Sequence, residues 1–277
     1  MNLPKLPIGD WIENAEGWLE EHCAPLFNLV RTIIGSVVNV LHDVLLYCPS
    51  IVMIILLTAL IWRIGKWRLA LFAFVGLFLI DNLGYWEHAM ETLAIVLAAS
   101  LFSICVGVPV GILCARNQAV QGIVTPALDF MQTMPAFVYL LPAVSFFSLG
   151  VVPGVIASII FAVPPTIRLT NLGIRQVPAE LVEAADAFGS TPNQKLLKLQ
   201  MPMALPTIMA GINQTIMLSL SMVVISSMIG AQGLGADVYR AVTQTKTGQG
   251  FEAGLSIVVL AILLDRLTSS IMKTNKR

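Results

Sequence analysis

Long apolar stretches separated by short polar ones run through most of the chain. A helix needs about 20 apolar residues to cross the hydrocarbon core of a bilayer, and it satisfies its own backbone hydrogen bonds there. We therefore predict an all-α polytopic membrane domain over residues 48–277, with about seven transmembrane helices. The predicted spans are residues 48–63, 67–83, 89–115, 121–149, 152–170, 204–230 and 250–272.

The first 47 residues follow another pattern, in which apolar and polar positions alternate with a helical period. In residues 8–22, Trp11 and Trp18 share an apolar face while acids such as Glu13 and Glu20 fill the other. This is typical of a helix that lies in the membrane interface. Residues 26–46 carry only a narrow polar stripe. We interpret residues 1–47 as two peripheral scaffold helices, and a true span over 26–46 remains the alternative.

Composition narrows the class of protein. Hydrophobic residues make up 57% of the 277 positions and charged residues 12%, whereas a soluble domain has about 25% charged residues. A formal net charge of +0 argues against nucleic acid as a partner. The histidines and cysteines are scattered, so no metal site is expected. No glycine-rich phosphate loop is present, so we predict a non-enzymatic chain without its own cofactor.

The basic residues of the connections indicate the orientation. With seven spans, every second connection carries a basic cluster, and all of these clusters fall on one side, which the positive-inside rule makes cytoplasmic. The predicted location is the plasma or inner membrane, with the N-terminus outside and the C-terminus in the cytoplasm. The basic residues in question are Arg63, Lys66, Arg68, Arg116, Arg168, Arg175, Lys195, Lys198, Lys273, Lys276 and Arg277.

The longest polar interruption, at about residues 171–203, predicts two short helices joined by a tight turn. Pro178 can open the first helix, and Gly189 suits the left-handed residue that ends it. Thr191 and Gln194 have the spacing of a capping box for the second helix. Ala184 leaves room for another protein's backbone. A rigid elbow of this kind at a membrane surface suggests a docking point for a soluble partner.

The elbow also resembles a known family. Glu183-Ala184-Ala185, followed by Gly189 and by Leu199-Gln200-Met201-Pro202, resembles the EAA loop of ABC importer permeases. Longer stretches are similar to the glycine betaine and proline betaine permeases. These are residues 131–142, 164–178 and 205–215, and the similarity covers roughly residues 85–270.

The resemblance implies a type I ABC importer permease fold and an osmoprotectant importer. Two permease copies would form the pathway, two ATPase subunits would bind the elbows together with ATP and Mg, and an extracellular binding protein would deliver the betaine. ATP-driven closure of the ATPase pair would switch the pathway between its two orientations. The implied ATPase-coupling residues are Glu183, Ala184, Ala185, Asp186, Phe188 and Gly189.

The pathway is less sharply indicated. Pro126, Pro135 and Pro142 break the fourth span, and broken helices often flank a translocation path. Candidate lining residues are Asp129, Gln132, Thr133 and Tyr139. A buried hydrogen bond to a neighbouring helix is the alternative role for Asp129. An ABC permease for another small solute, such as proline, choline or carnitine, and an ion-coupled secondary carrier remain the alternative functions.

Overall fold

The computed structural model describes residues 7–65 and 67–274, and the regular structure of these residues is helical. The helices in chain order are α1 Ile8–Leu46, α2 Ser50–Ile64, α3 Trp67–Asn82, α4 Trp86–Arg116, α5 Gln118–Thr133, α6 Leu140–Phe147, α7 Val151–Arg175, α8 Ala179–Ala187, α9 Pro192–Lys195, α10 Met201–Ser227, α11 Leu234–Thr243 and α12 Thr247–Thr274. A 3₁₀ turn, Ala136–Tyr139, precedes α6. A π-helical turn, Leu196–Gln200, joins α9 to α10. The predicted all-α class is confirmed.

The predicted spans coincide with helices, but the helices differ in length. Four helical segments of the described chain are long and apolar enough to cross a membrane: α1, α4, α7 and the 36-residue unit Pro192–Ser227. The bent pair of α5 and Ala136–Phe147 makes a fifth if it counts as one span. Helices α2 and α3 have 15 and 16 residues, which is less than the roughly 20 that a full crossing needs.

The prediction of two separate N-terminal helices is wrong, because α1 is one helix of 39 residues that contains Pro25. A proline inside a helix removes a single backbone hydrogen-bond donor. The residues on both sides of Pro25 favour the helical conformation, so the helix continues across the proline. The first half of α1 is exposed. In the second half, Ile34 and Val38 are buried against Ile95 of α4 and Val155 of α7. This contact with the bundle fits the alternative interpretation of residues 26–46 as a span.

Helices α4, α7 and α10 form the centre of the bundle, where small residues allow close packing. A Cβ atom added at Gly111 of α4 would lie 2.5 Å from the Cβ of Thr170 in α7. On the other side of α7, a Cβ at Gly211 of α10 would lie 3.0 Å from the backbone oxygen of Pro165. The G-x-x-x-G spacing of Gly107 and Gly111 therefore serves packing within the chain.

Two threonine hydroxyl groups join α7 to α10 inside this centre. The Oγ1 atoms of Thr166 and Thr215 lie 2.7 Å apart, and the Thr215 hydroxyl also donates to the backbone oxygen of Ala162 at 2.8 Å. Both threonines are fully buried. Interhelical hydrogen bonds of this kind hold α7 and α10 together where hydrophobic burial cannot, since lipid is as apolar as the helices.

The predicted break in the fourth span is confirmed, and Pro135 explains it. The residue before a proline avoids the helical conformation, and Met134 is extended with ψ of 138°. The two helical halves meet there at 107°. The Tyr139 hydroxyl donates to the backbone oxygen of Met131 at 2.6 Å, so it satisfies a carbonyl group at the broken end of α5.

The connection between α10 and α12 folds against the start of α4. Gly233, with φ of +101°, turns the chain so that the backbone N–H of Leu234 donates to Oγ1 of Thr92 at 2.9 Å. Asp237 lies 2.5 Å from Nδ1 of His88. Burial, and then the carboxylates of Asp237 and Glu252, raise the pKa of the nearby Tyr85 phenol. The turn at Gly233 and the short helix α11 thus contact the start of α4.

Candidate functional site: the elbow and the polar face of α5

The first elbow helix, α8, ends in a backbone motif that its sequence specifies. Gly189 is left-handed with φ of +74°. Its N–H donates to the Asp186 oxygen at 2.9 Å, and the N–H of Ser190 donates to the Ala185 oxygen at 3.0 Å. These two bonds form a Schellman motif, which satisfies the last carbonyl groups of a helix. Pro178 lies one position before the first helical residue rather than within the first turn.

The second elbow helix begins as predicted but does not end. Thr191 Oγ1 accepts from the N–H of Gln194 at 3.3 Å, and Gln194 Oε1 accepts from the N–H of Thr191 at 3.0 Å, which completes the capping box. The expectation of a separate short helix is wrong, because α9 continues through the π-helical turn into α10. Pro192–Ser227 is therefore one helical unit of 36 residues, and the elbow is directly attached to the bundle centre.

Side-chain contacts stiffen the elbow and tie it to α4. Lys195 Nζ lies 2.7 Å from Oδ1 and 2.8 Å from Oδ2 of Asp186, which joins the second elbow helix to the first. The guanidinium of Arg116, at the end of α4, donates to Oδ1 of Asn193 at 3.4 Å. Arg175, at the end of α7, donates to the backbone oxygen of Cys114 at 3.1 Å. Exposed ion pairs contribute little to stability individually, but these contacts limit how the elbow can turn.

The predicted coupling residues lie together on the surface of the elbow. No residue of α8 is buried. Phe188 has 91% of its surface exposed, and Glu183, Ala184, Asp186 and Gly189 are also exposed. Ala185 is half-buried. An aromatic side chain so completely exposed, beside small and acidic residues, is typical of a surface that another protein covers.

The pathway candidates on α5 share a polar face. Asp129, Gln132 and Thr133 are spaced by three and four residues, and Thr125 and Gln118 extend the same face towards the start of the helix. All five are exposed. The opposite face is apolar and packs on Cys114, Val163 and Ile167; its residues are Val120, Val124, Leu128 and Met131. The polar face of α5 is therefore exposed, and it is partly covered only where Asp129 contacts Arg168 of α7.

Tyr139 does not lie with the other candidates. It is only 8% exposed, within a cluster formed by Ala157 and Met222 among others, and its hydroxyl is bonded to α5. The residue that the sequence analysis missed is Arg168, whose Nη2 lies 2.6 Å from Oδ1 of Asp129. From the sequence alone, Arg168 indicates only the orientation of the chain. A basic residue inside the predicted span 152–170 was the available signal, since charges within spans are costly.

Comparison with known proteins identifies the family. The sequence profile of the family described as binding-protein-dependent transport system inner membrane component matches residues 107–275. This range covers α5, the elbow and α10, which carry the features described above. The chain belongs to this family of transport permeases. As a member, it is a subunit of a membrane transport system, and the predicted class of ABC importer permease is confirmed.

Relatives match over nearly the whole chain. The glycine betaine transport system permease protein OpuAB of Bacillus subtilis is 54% identical over 99% of this chain and 97% of its own length. The glycine betaine/carnitine transport permease protein GbuB of Listeria monocytogenes is 54% identical over 99% of both chains. The glycine betaine/proline betaine permease ProW of Escherichia coli is 46% identical over 98% of this chain and 77% of its own.

A solved structure shows the same fold. A chain from the structure titled "Inward facing conformations of the MetNI methionine ABC transporter" superposes with a TM-score of 0.63 at 22% identity, covering 67% of this chain and 93% of the other. At this identity the likeness concerns the fold alone. The predicted ABC importer permease fold is thereby confirmed.

Proposed function

We propose that this permease imports glycine betaine or a closely related quaternary ammonium osmoprotectant. The supporting observation is the 54% identity, over almost the full length, to permeases whose names specify glycine betaine and carnitine. The binding-protein dependence named in the family description supports an external protein that delivers the solute. Proline and choline are less favoured, because none of the relatives described above is named for them.

We further propose that ATPase subunits bind the elbow. The surface of Phe188, Glu183 and Ala184 is exposed and contains an almost uncovered aromatic ring, while the elbow itself is braced by caps and by the pair of Lys195 and Asp186. ATP and Mg would be held by that partner. This chain would transmit motion rather than catalyse a reaction, since a force applied to the elbow passes directly into α10.

The transmission follows from the packing. The unit Pro192–Ser227 begins in the elbow and ends in the bundle, and α10 is bonded to α7 through Thr215 and Thr166. A displacement of the elbow therefore moves α10 and α7 together rather than separately. Two elbows drawn together by a closing ATPase pair would change the angle between two such bundles, which shifts the population of inward-open and outward-open states.

The polar face of α5 supports a pathway between two copies. Gln132 and Thr133 are exposed, and Asp129 is 61% exposed beside Arg168. A polar face in a membrane avoids lipid because each uncompensated polar group costs several kcal/mol. Water between two copies would solvate it. The proposed orientation keeps the elbow and C-terminus in the cytoplasm and the N-terminus outside, on the basis of the basic connections.

The proposal is tested by reconstituting the chain in liposomes with its ATPase and binding protein. We expect ATP-dependent uptake of labelled glycine betaine, lost when any of the three proteins is omitted. Glu183→Lys should reduce uptake while membrane insertion is retained. The same charge change at Glu87, an exposed acid at the start of α4, is the matched control. Uptake without an ATPase, or equal uptake in both variants, would contradict the proposal.

A second experiment tests the docking surface directly. Because Phe188 is 91% exposed, Phe188→Ala should leave the stability of the isolated permease unchanged. An aromatic residue at the centre of an interface typically contributes about 2 kcal/mol or more, which is about thirtyfold in affinity. We expect the affinity for the ATPase, measured with labelled subunits in nanodiscs, to fall by about this factor. An unchanged affinity would place the docking surface elsewhere.

A further inference from the structure

An ion pair between Asp129 and Arg168 lies on the polar face of α5. Asp129 lies eleven residues after Gln118, and Arg168 lies seven residues before the end of α7 at Arg175. At 1.5 Å per residue these distances are roughly 16 Å and 10 Å from the elbow end of the bundle. Both charges therefore lie along predicted spans, 121–149 for Asp129 and 152–170 for Arg168. An ionised side chain within a span is costly and usually functional.

The ion pair of Asp129 and Arg168 is partly exposed and joined by a single contact. The side chains of Asp129 and Arg168 are 61% and 41% exposed, and one N–H···O contact of 2.6 Å joins them. Within the described residues, neither side chain has a second hydrogen-bond or ion-pair partner. A pair whose only role was to lock α5 to α7 would gain from burial and a bidentate geometry. Here one carboxylate oxygen and most of the guanidinium edge remain free on the polar face.

We propose that Asp129 and Arg168 form a weak binding site for the zwitterionic solute on its way through the permease. The carboxylate of Asp129 faces the cationic ammonium group, and the guanidinium of Arg168 holds the solute carboxylate through the parallel N–H donors that suit it. This inference rests on the proposed function and adds to it the residues that bind the two charged groups of the solute.

The energetics favour a transient site. A zwitterion that enters between the two side chains replaces their hydrogen-bonded contact with two others. One is a hydrogen-bonded pair between Arg168 and the solute carboxylate, and the other is a purely electrostatic contact between Asp129 and the quaternary ammonium group, which has no N–H to donate. Little affinity is therefore gained. Weak binding is what a pathway needs, because a solute held tightly would not leave. The neighbouring amide of Gln132 adds a neutral donor and acceptor on the same face without adding charge.

The experiment measures protection of an engineered cysteine. The four native cysteines are replaced by serine or alanine, and Gln132→Cys is introduced next to the pair. The permease–ATPase complex is labelled in nanodiscs by a charged maleimide in several nucleotide states, without the binding protein. Ile123→Cys, which is 76% exposed but on another face of α5, is the matched control.

We expect glycine betaine to slow the labelling of Gln132→Cys by about threefold at a concentration of about twice its dissociation constant, because labelling reports the free site. Tetramethylammonium or acetate alone, which carry one charge each, should protect less, and sucrose of equal osmolality should not protect. Arg168→Gln should abolish the protection. Arg168→Lys, which keeps the positive charge but loses the parallel N–H donors of the guanidinium group, should retain part of the protection.

The outcomes separate the site from the function. Labelling of Gln132→Cys that glycine betaine does not slow, or protection that persists in Arg168→Gln, overturns the binding site and leaves the proposed transport intact. Labelling no faster than that of Ile123→Cys in every nucleotide state overturns the pathway itself. If Arg168→Gln fails to assemble, the site is tested with Asp129 and Arg168 unchanged. Protection by glycine betaine that is no stronger than protection by tetramethylammonium or acetate then overturns the binding site.

Discussion

A substitution series at Gly189 tests whether a rigid elbow is required for coupling. The residue is left-handed with φ of +74°, and a Cβ atom there would meet nothing within 4 Å. A side chain at this position therefore costs backbone strain alone and creates no clash. For alanine the left-handed conformation costs about 1–2 kcal/mol; asparagine tolerates it better, and β-branched valine tolerates it worse.

The strain acts on the two hydrogen bonds that depend on this conformation, from Gly189 to Asp186 and from Ser190 to Ala185. A cost of 1–2 kcal/mol shifts the elbow towards relaxed conformers by about five- to thirtyfold. We expect the number of solute molecules imported per ATP hydrolysed to fall in the order Gly189, Gly189→Asn, Gly189→Ala, Gly189→Val. Thermal stability should barely change, because α8 buries no residue.

The assay measures uptake and ATP hydrolysis in the same proteoliposomes, so that coupling is separated from assembly. Equal coupling for glycine, alanine and valine would refute the argument that the geometry of the elbow transmits the motion. A loss in Gly189→Asn as large as that in Gly189→Val would also refute it, since then a side chain of any kind, rather than backbone strain, would disturb the ATPase contact.

Three further predictions concern the bundle and the connection between α3 and α4. Gly111→Val should destabilise the permease by about 1–3 kcal/mol through overpacking. Gly122→Ala should be neutral or stabilising, because an added Cβ there has no atom within 4 Å. The melting temperatures of the two variants in detergent test this difference. Thr215→Val should cost about 1–3 kcal/mol because Thr166 loses its partner, and the cost should shrink in a background carrying Thr166→Val. Because the pKa of Tyr85 is raised above its ordinary value of 10.0 in the folded protein, the neutral phenol stabilises the fold fully below pH 10.0. This contribution is lost as the pH rises through the higher pKa of the folded state. Tyr85→Phe should therefore reduce the fall of the melting temperature at alkaline pH.

Much of the elbow could be predicted because its signals are local. Pro178 and Gly189 bound the first helix, and the cap of Thr191 and Gln194 requires only residues three positions apart. Each acts on the backbone within one turn, so distant parts of the chain do not alter it. The exposure of Phe188 is different, because a phenylalanine is usually buried and only the packing around it shows that this one is not.

The alternation of apolar spans and polar connections determined by itself that this is a helical membrane protein, because a bilayer imposes the same length and hydropathy on every crossing. Capping residues likewise determined the elbow. Only the tertiary structure decided that Asp129 meets Arg168 across 39 positions and that Tyr139 turns inward. These depend on how closely α4, α7 and α10 approach one another, which is the sum of many contacts between residues far apart in the chain.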